Sequence, residues 1–148
     1  DWLSSAACLP RAKRTMPTTT DTLPITSGDD VVRVGQKVRV RATEIGLSLV
    51  DQTKLITAAS ELARNTLDYG KGGHADIETI MGERRGVRVV FRDRGPGIPD
   101  IQQALTDGFT SGNGLGHGLG GARRLVDDFD IQSTVGVGTT ISIARWKR

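Results

Sequence analysis

A carboxylate and a carboxamide stand four residues apart in a segment with helical periodicity, as Glu61 and Asn65. Side chains at positions i and i+4 of a helix project side by side. A glutamate in such a place can take a proton from a hydroxyl group or a water molecule. An asparagine carbonyl oxygen is a ligand that Mg²⁺ accepts. The pair is therefore a candidate for acid–base and metal chemistry, although an ordinary solvated helix face has the same spacing.

A second candidate group is the string Asp93-Arg94-Gly95-Pro96-Gly97-Ile98, which directly follows the apolar segment 87–91. A carboxylate at the end of a strand can accept a hydrogen bond from an exocyclic amine. The two glycines would let the backbone close tightly on a flat ring. Asp, Gly and Pro are also the usual residues of a β-turn, so the string alone leaves both interpretations open.

The third candidate is a glycine-rich run, with seven glycines between positions 108 and 121. A helix containing Arg123 and Arg124 is predicted to begin at the end of this run. Free backbone N–H groups and the positive end of a helix dipole together form an anion site. A flexible linker explains the composition but not the helix that follows it. The segment 116–121 also matches the dinucleotide pattern G-x-G-x-x-G, but no strand precedes it, as that mechanism requires.

Periodic patterns predict the elements that position these groups. In chain order they are helices at about 29–49 and 51–69, strands at 75–81 and 87–91, helices at 100–105 and 119–129, and strands at 131–135 and 139–146. The alternation at 38–41 leaves a strand open within the first helix. This order predicts an α+β fold, a two-layer sandwich with helices on one face of a mixed, mostly antiparallel sheet.

The amino-terminal residues differ from the rest, since residues 1–30 are rich in Ser, Thr, Pro and Asp and have no sustained apolar period. We expect a disordered tail over residues 1–20 and one folded domain over residues 21–148. Residues 22–26 have strand-like composition, and Pro24 would restrict that strand to the edge of a sheet because proline lacks an N–H group.

Charge and cysteine content exclude several classes of protein. Twenty Lys and Arg against 17 Asp and Glu give a net charge of +3, too small a surplus to indicate nucleic-acid binding. The single cysteine, Cys8, excludes an intramolecular disulfide and a Cys-cluster zinc site, and it favours a cytoplasmic location. No run approaches the roughly 18 apolar residues of a membrane span, so no membrane association is expected.

The order of the motifs resembles that of the GHKL ATPase superfamily, which groups gyrase, the Hsp90 chaperones, sensor histidine kinases and MutL. The matching residues are Glu61-x-x-x-Asn65, Asp93-x-Gly95-x-Gly97, the glycine-rich run as a lid, and Gly138-Thr139. The resemblance implies a Bergerat fold that binds ATP with Mg²⁺. In it Asp93 would contact the adenine amine, Thr139 would support the adenine site, and Asn65 would hold the metal.

Longer strings at 61–65, 70–72, 93–100 and 107–111 resemble the RsbT-type switch kinases of bacterial stress-response (stressosome) pathways. This resemblance implies a serine/threonine protein kinase that phosphorylates a STAS-domain antagonist or scaffold protein. The released kinase would then activate a PP2C-type phosphatase. The alternative is an anti-sigma factor of the RsbW or SpoIIAB type, which sequesters a sigma factor and phosphorylates its anti-anti-sigma partner.

The same resemblance assigns roles to individual residues. Glu61 would be the general base, and Lys71 and the lid amides at 114–118 would neutralise phosphate charge. The nucleotide-binding residues that it implies are Arg64, Asn65, Lys71, Asp93, Gly95, Gly97, Ile98, Thr110, Gly114, Leu115, Gly116, His117, Gly118, Leu119 and Thr139.

Overall fold

The computed structural model describes residues 17–106 and 117–148. Within these residues the chain forms five strands and four helices. They are β1 (Pro17–Ile25), α1 (Gly28–Glu44), α2 (Leu49–Asp68), β2 (Gly73–Met81), β3 (Arg85–Asp93), α3 (Ile101–Ala104), α4 (His117–Arg124), β4 (Asp128–Thr134) and β5 (Gly138–Trp146). No helix in this part of the chain is both long enough and apolar enough to cross a membrane.

The two long helices begin at serine caps. The Ser27 hydroxyl accepts a hydrogen bond from the Asp30 backbone N–H, and the Ser48 hydroxyl accepts one from the Asp51 N–H. Each cap satisfies a backbone donor that the first turn of a helix leaves free. The strand alternative at 38–41 is wrong, because Val38 lies within the buried stripe of one continuous helix, α1.

The strands form one sheet with the order β1-β2-β3-β5-β4, and every described pair is antiparallel. One face of the sheet packs against α1 and α2, and the shared core includes Val34, Leu55, Leu62, Phe91 and Ile143. The predicted α+β sandwich is confirmed. Asp93, the last residue of β3, lies opposite Thr139 of β5 in the strand register.

Strand β1 starts earlier than the sequence predicts. It begins at Pro17, so its first four residues fall within the range predicted as a tail, and it pairs along β2 from Pro17 to Ile25. A polar segment without an apolar period can still form a strand, because the neighbouring strand supplies its backbone hydrogen-bond partners. The strand lies at an edge of the sheet, as Pro24 predicts. Residues 1–16 lie outside the described residues.

The last helix ends earlier than predicted, at Arg124 rather than near Phe129. Strand β4 starts at Asp128, and Phe129 lies opposite Ile143 in the register. The Asp127 carboxylate accepts hydrogen bonds from the Trp146 backbone N–H at 2.8 Å and from the Arg148 guanidinium at 2.7 Å. These contacts with the carboxyl-terminal end of β5 and the residues after it hold 127–129 against that strand, and a local periodicity cannot reveal them.

Candidate nucleotide site

A cavity of about 290 Å³ lies between the end of α2, the loop after β3, the start of α4 and β5. Its volume is at the lower end of the range for small-molecule sites. The predicted site residues that line it are Asn65, Asp93, Gly97, Ile98, Leu119 and Thr139. The fold therefore brings together residues from motifs that are separated by more than 70 positions in the sequence.

Asn65 lines this cavity and has a buried side-chain oxygen. The residue is 8% exposed, and its Oδ1 atom has no hydrogen-bond partner among the residues that the structure describes. An unsatisfied buried acceptor costs roughly 1–3 kcal/mol, so native structures keep few of them. A carbonyl oxygen with free lone pairs is a suitable ligand for a hard cation, and the residue therefore fits the predicted Mg²⁺ site.

Asp93 lies where three backbone segments meet. Its Oδ1 atom accepts a hydrogen bond from the Gly95 N–H at 2.9 Å. A Cβ atom at Gly70 would collide with the Asp93 carboxylate, and one at Gly95 would lie 2.7 Å from the Gly70 Cα. One at Gly138 would collide with the Asp93 backbone oxygen. Glycines thus let the end of α2 and the start of β5 approach the aspartate closely.

The loop after β3 is fastened to the hairpin of β4 and β5. The Ile98 N–H donates to the Ser133 hydroxyl at 2.7 Å, and the Gly136 N–H donates to the Pro96 carbonyl at 2.8 Å. Gly97 has a φ of +80°, and a Cβ there would lie 2.5 Å from the Thr134 carbonyl oxygen. Both the backbone conformation and the close approach require glycine at this position.

Sequence reasoning missed several residues of this site. Thr66, Tyr69 and Gly70 line the cavity at the end of α2. Thr66 and Tyr69 follow the helical period of the segment predicted as a helix at 51–69, and that period indicates only a core position. Burial, and to a smaller extent the nearby Asp68 carboxylate, raises the pKa of Tyr69. Ser133 was also missed, although the predicted hairpin places it close to Thr139.

Other predicted site residues do not line the cavity. Glu61 and Arg64 are exposed on α2, and Lys71 is exposed just after it. Lys71 has a φ of 59°, a conformation that is uncommon for a residue with a side chain. Gly95 packs closely against Gly70 and does not line the cavity. Thr110, Gly114, Leu115 and Gly116 lie outside the described residues, and for His117 and Gly118 only the backbone is described, at the start of α4.

Comparisons with known proteins agree with this geometry. Residues 50–148 match the family model described as histidine kinase-, DNA gyrase B-, and HSP90-like ATPase. The chain is 42% identical over 120 residues to the serine/threonine-protein kinase RsbT of Bacillus subtilis (strain 168), which covers 80% of this chain and 90% of that protein. It is 30% identical over 105 residues to the anti-sigma F factor of Clostridium novyi (strain NT), covering 67% of this chain and 73% of that protein.

Among solved structures, the RsbU and RsbW domains of Rv1364c from Mycobacterium tuberculosis superpose with a TM-score of 0.60 at 23% identity. The match covers 89% of this chain and 34% of the other, so this chain spans about a third of that structure. At this level of identity the match supports the fold alone. The chain belongs to the histidine kinase-, DNA gyrase B- and HSP90-like ATPase family, and its predicted likeness to the RsbT-type serine/threonine kinases is confirmed.

Proposed function

We propose that this chain transfers the γ-phosphoryl group of ATP to a serine or threonine of a STAS-domain protein. The observation that carries the proposal is the buried Oδ1 atom of Asn65, which has no hydrogen-bond partner among the described residues and belongs to a residue that lines the same cavity as Asp93. A buried acceptor without a donor can be satisfied by an ordered water, or by a ligand that is cationic or that donates hydrogen bonds. Mg²⁺ bound with ATP has that character.

Asp93 would bind the adenine end of ATP. One of its carboxylate oxygens already accepts the Gly95 N–H, which fixes the orientation of the side chain. The other oxygen has no hydrogen-bond donor among the described residues and is free to accept one from the exocyclic amine of adenine. Thr139 lines the same wall, and Ile98 and Leu119 add apolar surface for the ring.

Asn65 would hold Mg²⁺ through Oδ1, and the metal would neutralise phosphate charge when bound. The neighbouring phosphate contacts that we propose are Lys71, Arg64 and the backbone amides of the lid at 114–118. Phosphoryl transfer depends mainly on positioning and electrostatic stabilisation, so cationic and N–H groups of this kind are the ones the reaction needs.

Glu61 would act as the general base. It lies one helical turn before Asn65 on α2 and is exposed, so a hydroxyl group carried by a second protein can reach it. In the proposed step the hydroxyl oxygen forms a bond to the γ-phosphorus and its proton passes to the Glu61 carboxylate. The bond between the γ-phosphorus and the β–γ bridging oxygen breaks, and ADP leaves.

The proposed partners are a STAS-domain substrate and, after its phosphorylation, a PP2C-type phosphatase, in the cytoplasm. The 42% identity to RsbT supports this assignment. An anti-sigma factor that sequesters a sigma factor is the second candidate, favoured by the 30% identity to an anti-sigma F factor. The closer relation to RsbT places the kinase first.

The test is to incubate the protein with γ-labelled ATP and each STAS-domain protein of the same genome. We expect Mg²⁺-dependent labelling of a Ser or Thr in one of them. The Glu61→Gln variant should bind ATP normally but transfer phosphate about 10² to 10⁴ times more slowly. Thr57→Ala, an exposed change one turn earlier on α2, is the matched control and should label normally.

Two outcomes would change the assignment. Capture of a sigma factor without labelling of any STAS protein would favour the anti-sigma alternative. Nearly normal transfer by Glu61→Gln would leave Glu61 without a role as base.

A further inference from the structure

The hydroxyl group of Ser133 lies between two residues that line the cavity, although Ser133 itself does not line it. The Ile98 backbone N–H donates to Ser133 Oγ at 2.7 Å, and Thr139 Oγ1 is 2.7 Å from the same atom. The Gly138 carbonyl oxygen is 3.3 Å away. Ile98 and Thr139 both form part of the cavity wall. Ser133 therefore connects the loop after β3 to the start of β5 at the level of Asp93.

The hydrogen-bond capacity of a hydroxyl group limits which of Ser133 and Thr139 donates to the other. A hydroxyl has one proton to donate and two lone pairs, and one lone pair of Ser133 is taken by the Ile98 N–H. A separation of 2.7 Å is the usual O–H···O distance, so the two hydroxyl groups share a full hydrogen bond. When Ser133 donates in it, Thr139 keeps its own proton for a cavity ligand. When Thr139 donates, only its lone pairs face the cavity.

We propose that Ser133 is a positioning residue for the adenine nucleotide, acting through the Thr139 hydroxyl and the Ile98 amide. This inference rests on the proposed ATP site. Ser133 fixes the position of the Thr139 oxygen and sets whether that group donates or accepts hydrogen bonds. Asp93 lies directly opposite Thr139 in the strand register, so a purine held by Asp93 meets the wall that Ser133 orders.

Fastening the loop after β3 is not a sufficient explanation for the Ser133 hydroxyl, because other contacts also fasten that loop. The loop is also fastened by the bond from the Gly136 N–H to the Pro96 carbonyl and by the close approach of Gly97 to Thr134. These backbone contacts remain when the Ser133 hydroxyl is removed. What the hydroxyl alone supplies is the bond to Thr139, the acceptor for Ile98 and a longer contact with the Gly138 carbonyl.

The experiment measures ATP binding by isothermal titration of the folded protein. We expect Ser133→Ala to raise the Kd for ATP about ten-fold, and Ser133→Thr, which keeps the hydroxyl, to restore most of the affinity. Because Ser133 acts partly through Thr139, the loss in the double variant should be smaller than the sum of the losses in Ser133→Ala and Thr139→Val. Gln132→Ala, an exposed change on the same strand, is the control and should bind as the wild type does.

A second pair of variants tests the inference if Ser133→Ala folds poorly. Ser133→Thr and Ser133→Val have nearly the same shape and differ in the hydroxyl, so Ser133→Val should bind ATP about ten-fold more weakly than Ser133→Thr. Normal ATP binding by Ser133→Ala, or equal binding by Thr and Val, would overturn the inference and leave the proposed function intact. Fully additive losses in the double variant would also overturn it. If the wild-type protein binds no ATP, the proposed function fails and the inference with it.

Discussion

The two ends of helix α2 each bury a polar side chain, and they treat it in opposite ways. At the first turn Asp51 is 9% exposed, and its Oδ1 atom accepts hydrogen bonds from Arg145 at 2.6 and 3.1 Å. Near the other end Asn65 is 8% exposed, and its Oδ1 atom accepts no hydrogen bond within residues 17–106 and 117–148. The same helix thus has one buried polar side chain with a hydrogen-bond partner, Asp51, and one without a partner among the described residues, Asn65. We call the first turn of α2 the completed end and the turn around Asn65 the open end.

The completed end joins distant parts of the chain. Arg145 of β5 binds Asp51 and also donates to the Leu125 carbonyl at 3.1 Å, just after α4. Asp127 lies 3.9 Å from Arg145 and also pairs with Arg148. The start of α2, the residues after α4 and the end of β5 are therefore held in one network of charges and hydrogen bonds.

The difference separates a structural polar contact, at Asp51, from a polar group for which we propose a function, at Asn65. A buried ion pair whose members satisfy each other stabilises the fold only while both are present, and removing one partner leaves an uncompensated charge. An acceptor without a donor has the opposite effect, because its desolvation destabilises the folded state until a ligand binds. The glycines around Asp93 belong to the same open end, where backbone approaches the site closely. We infer that α2 is fixed at its first turn and binds its ligand near its last.

The largest expected effect is on catalysis at the open end. Asn65→Ala should reduce phosphoryl transfer roughly 10³-fold, because it removes the oxygen proposed to hold the metal. The free energy of unfolding should stay the same or rise, by up to about 3 kcal/mol, because the change removes a buried acceptor that has no hydrogen-bond partner among the described residues. Steady-state transfer and urea unfolding measure the two effects. Thr57→Ala is the control on the same helix, and wild-type turnover in Asn65→Ala would remove the whole assignment.

At the completed end, replacing the buried polar side chain by alanine should reduce stability and leave ATP binding unchanged. Asp51→Ala should lower the free energy of unfolding by about 3 kcal/mol, because Arg145 remains buried without its partner. ATP affinity of the folded variant should stay at the wild-type value. Urea unfolding and titration calorimetry test this, with the exposed Lys54→Ala as the control. Weaker ATP binding at unchanged stability would contradict the distinction between the two ends.

A smaller effect is expected from acid. The hydrogen bonds from the Arg145 guanidinium hold the pKa of Asp51 below its ordinary value. A carboxyl with a lowered folded-state pKa stabilises the fold above its unfolded pKa of about 3.9, and this contribution is lost as the pH falls through the folded value. Unfolding free energy should therefore decrease below about pH 4, and less steeply in Asp51→Asn. An equal slope in both proteins would show that other carboxyl groups, such as Asp21 beside Arg41, account for the acid sensitivity.

Local patterns in the sequence predicted much of the fold and part of the site. Apolar spacing predicted α2, alternation predicted both hairpins, and the position of Asp93 at a strand end was correct. The partners of Asp51 and Ser133 could not be predicted in this way. Asp51 and Arg145 are 94 positions apart, and Ile98 and Ser133 are 35 apart, so only the folded sheet brings them together. The roles assigned to Glu61, Lys71 and the lid remain predictions.

The central claim is that the open oxygen of Asn65 is a ligand group, and thermal unfolding with and without Mg²⁺-ATP tests it most directly. Ligand binding to the native state raises the melting temperature. We predict a clear increase for the wild type and for Thr57→Ala, and no increase for Asn65→Ala, whose melting temperature without ligand should be no lower than that of the wild type. An Asn65→Ala variant that Mg²⁺-ATP stabilises as strongly as the wild type would contradict the account.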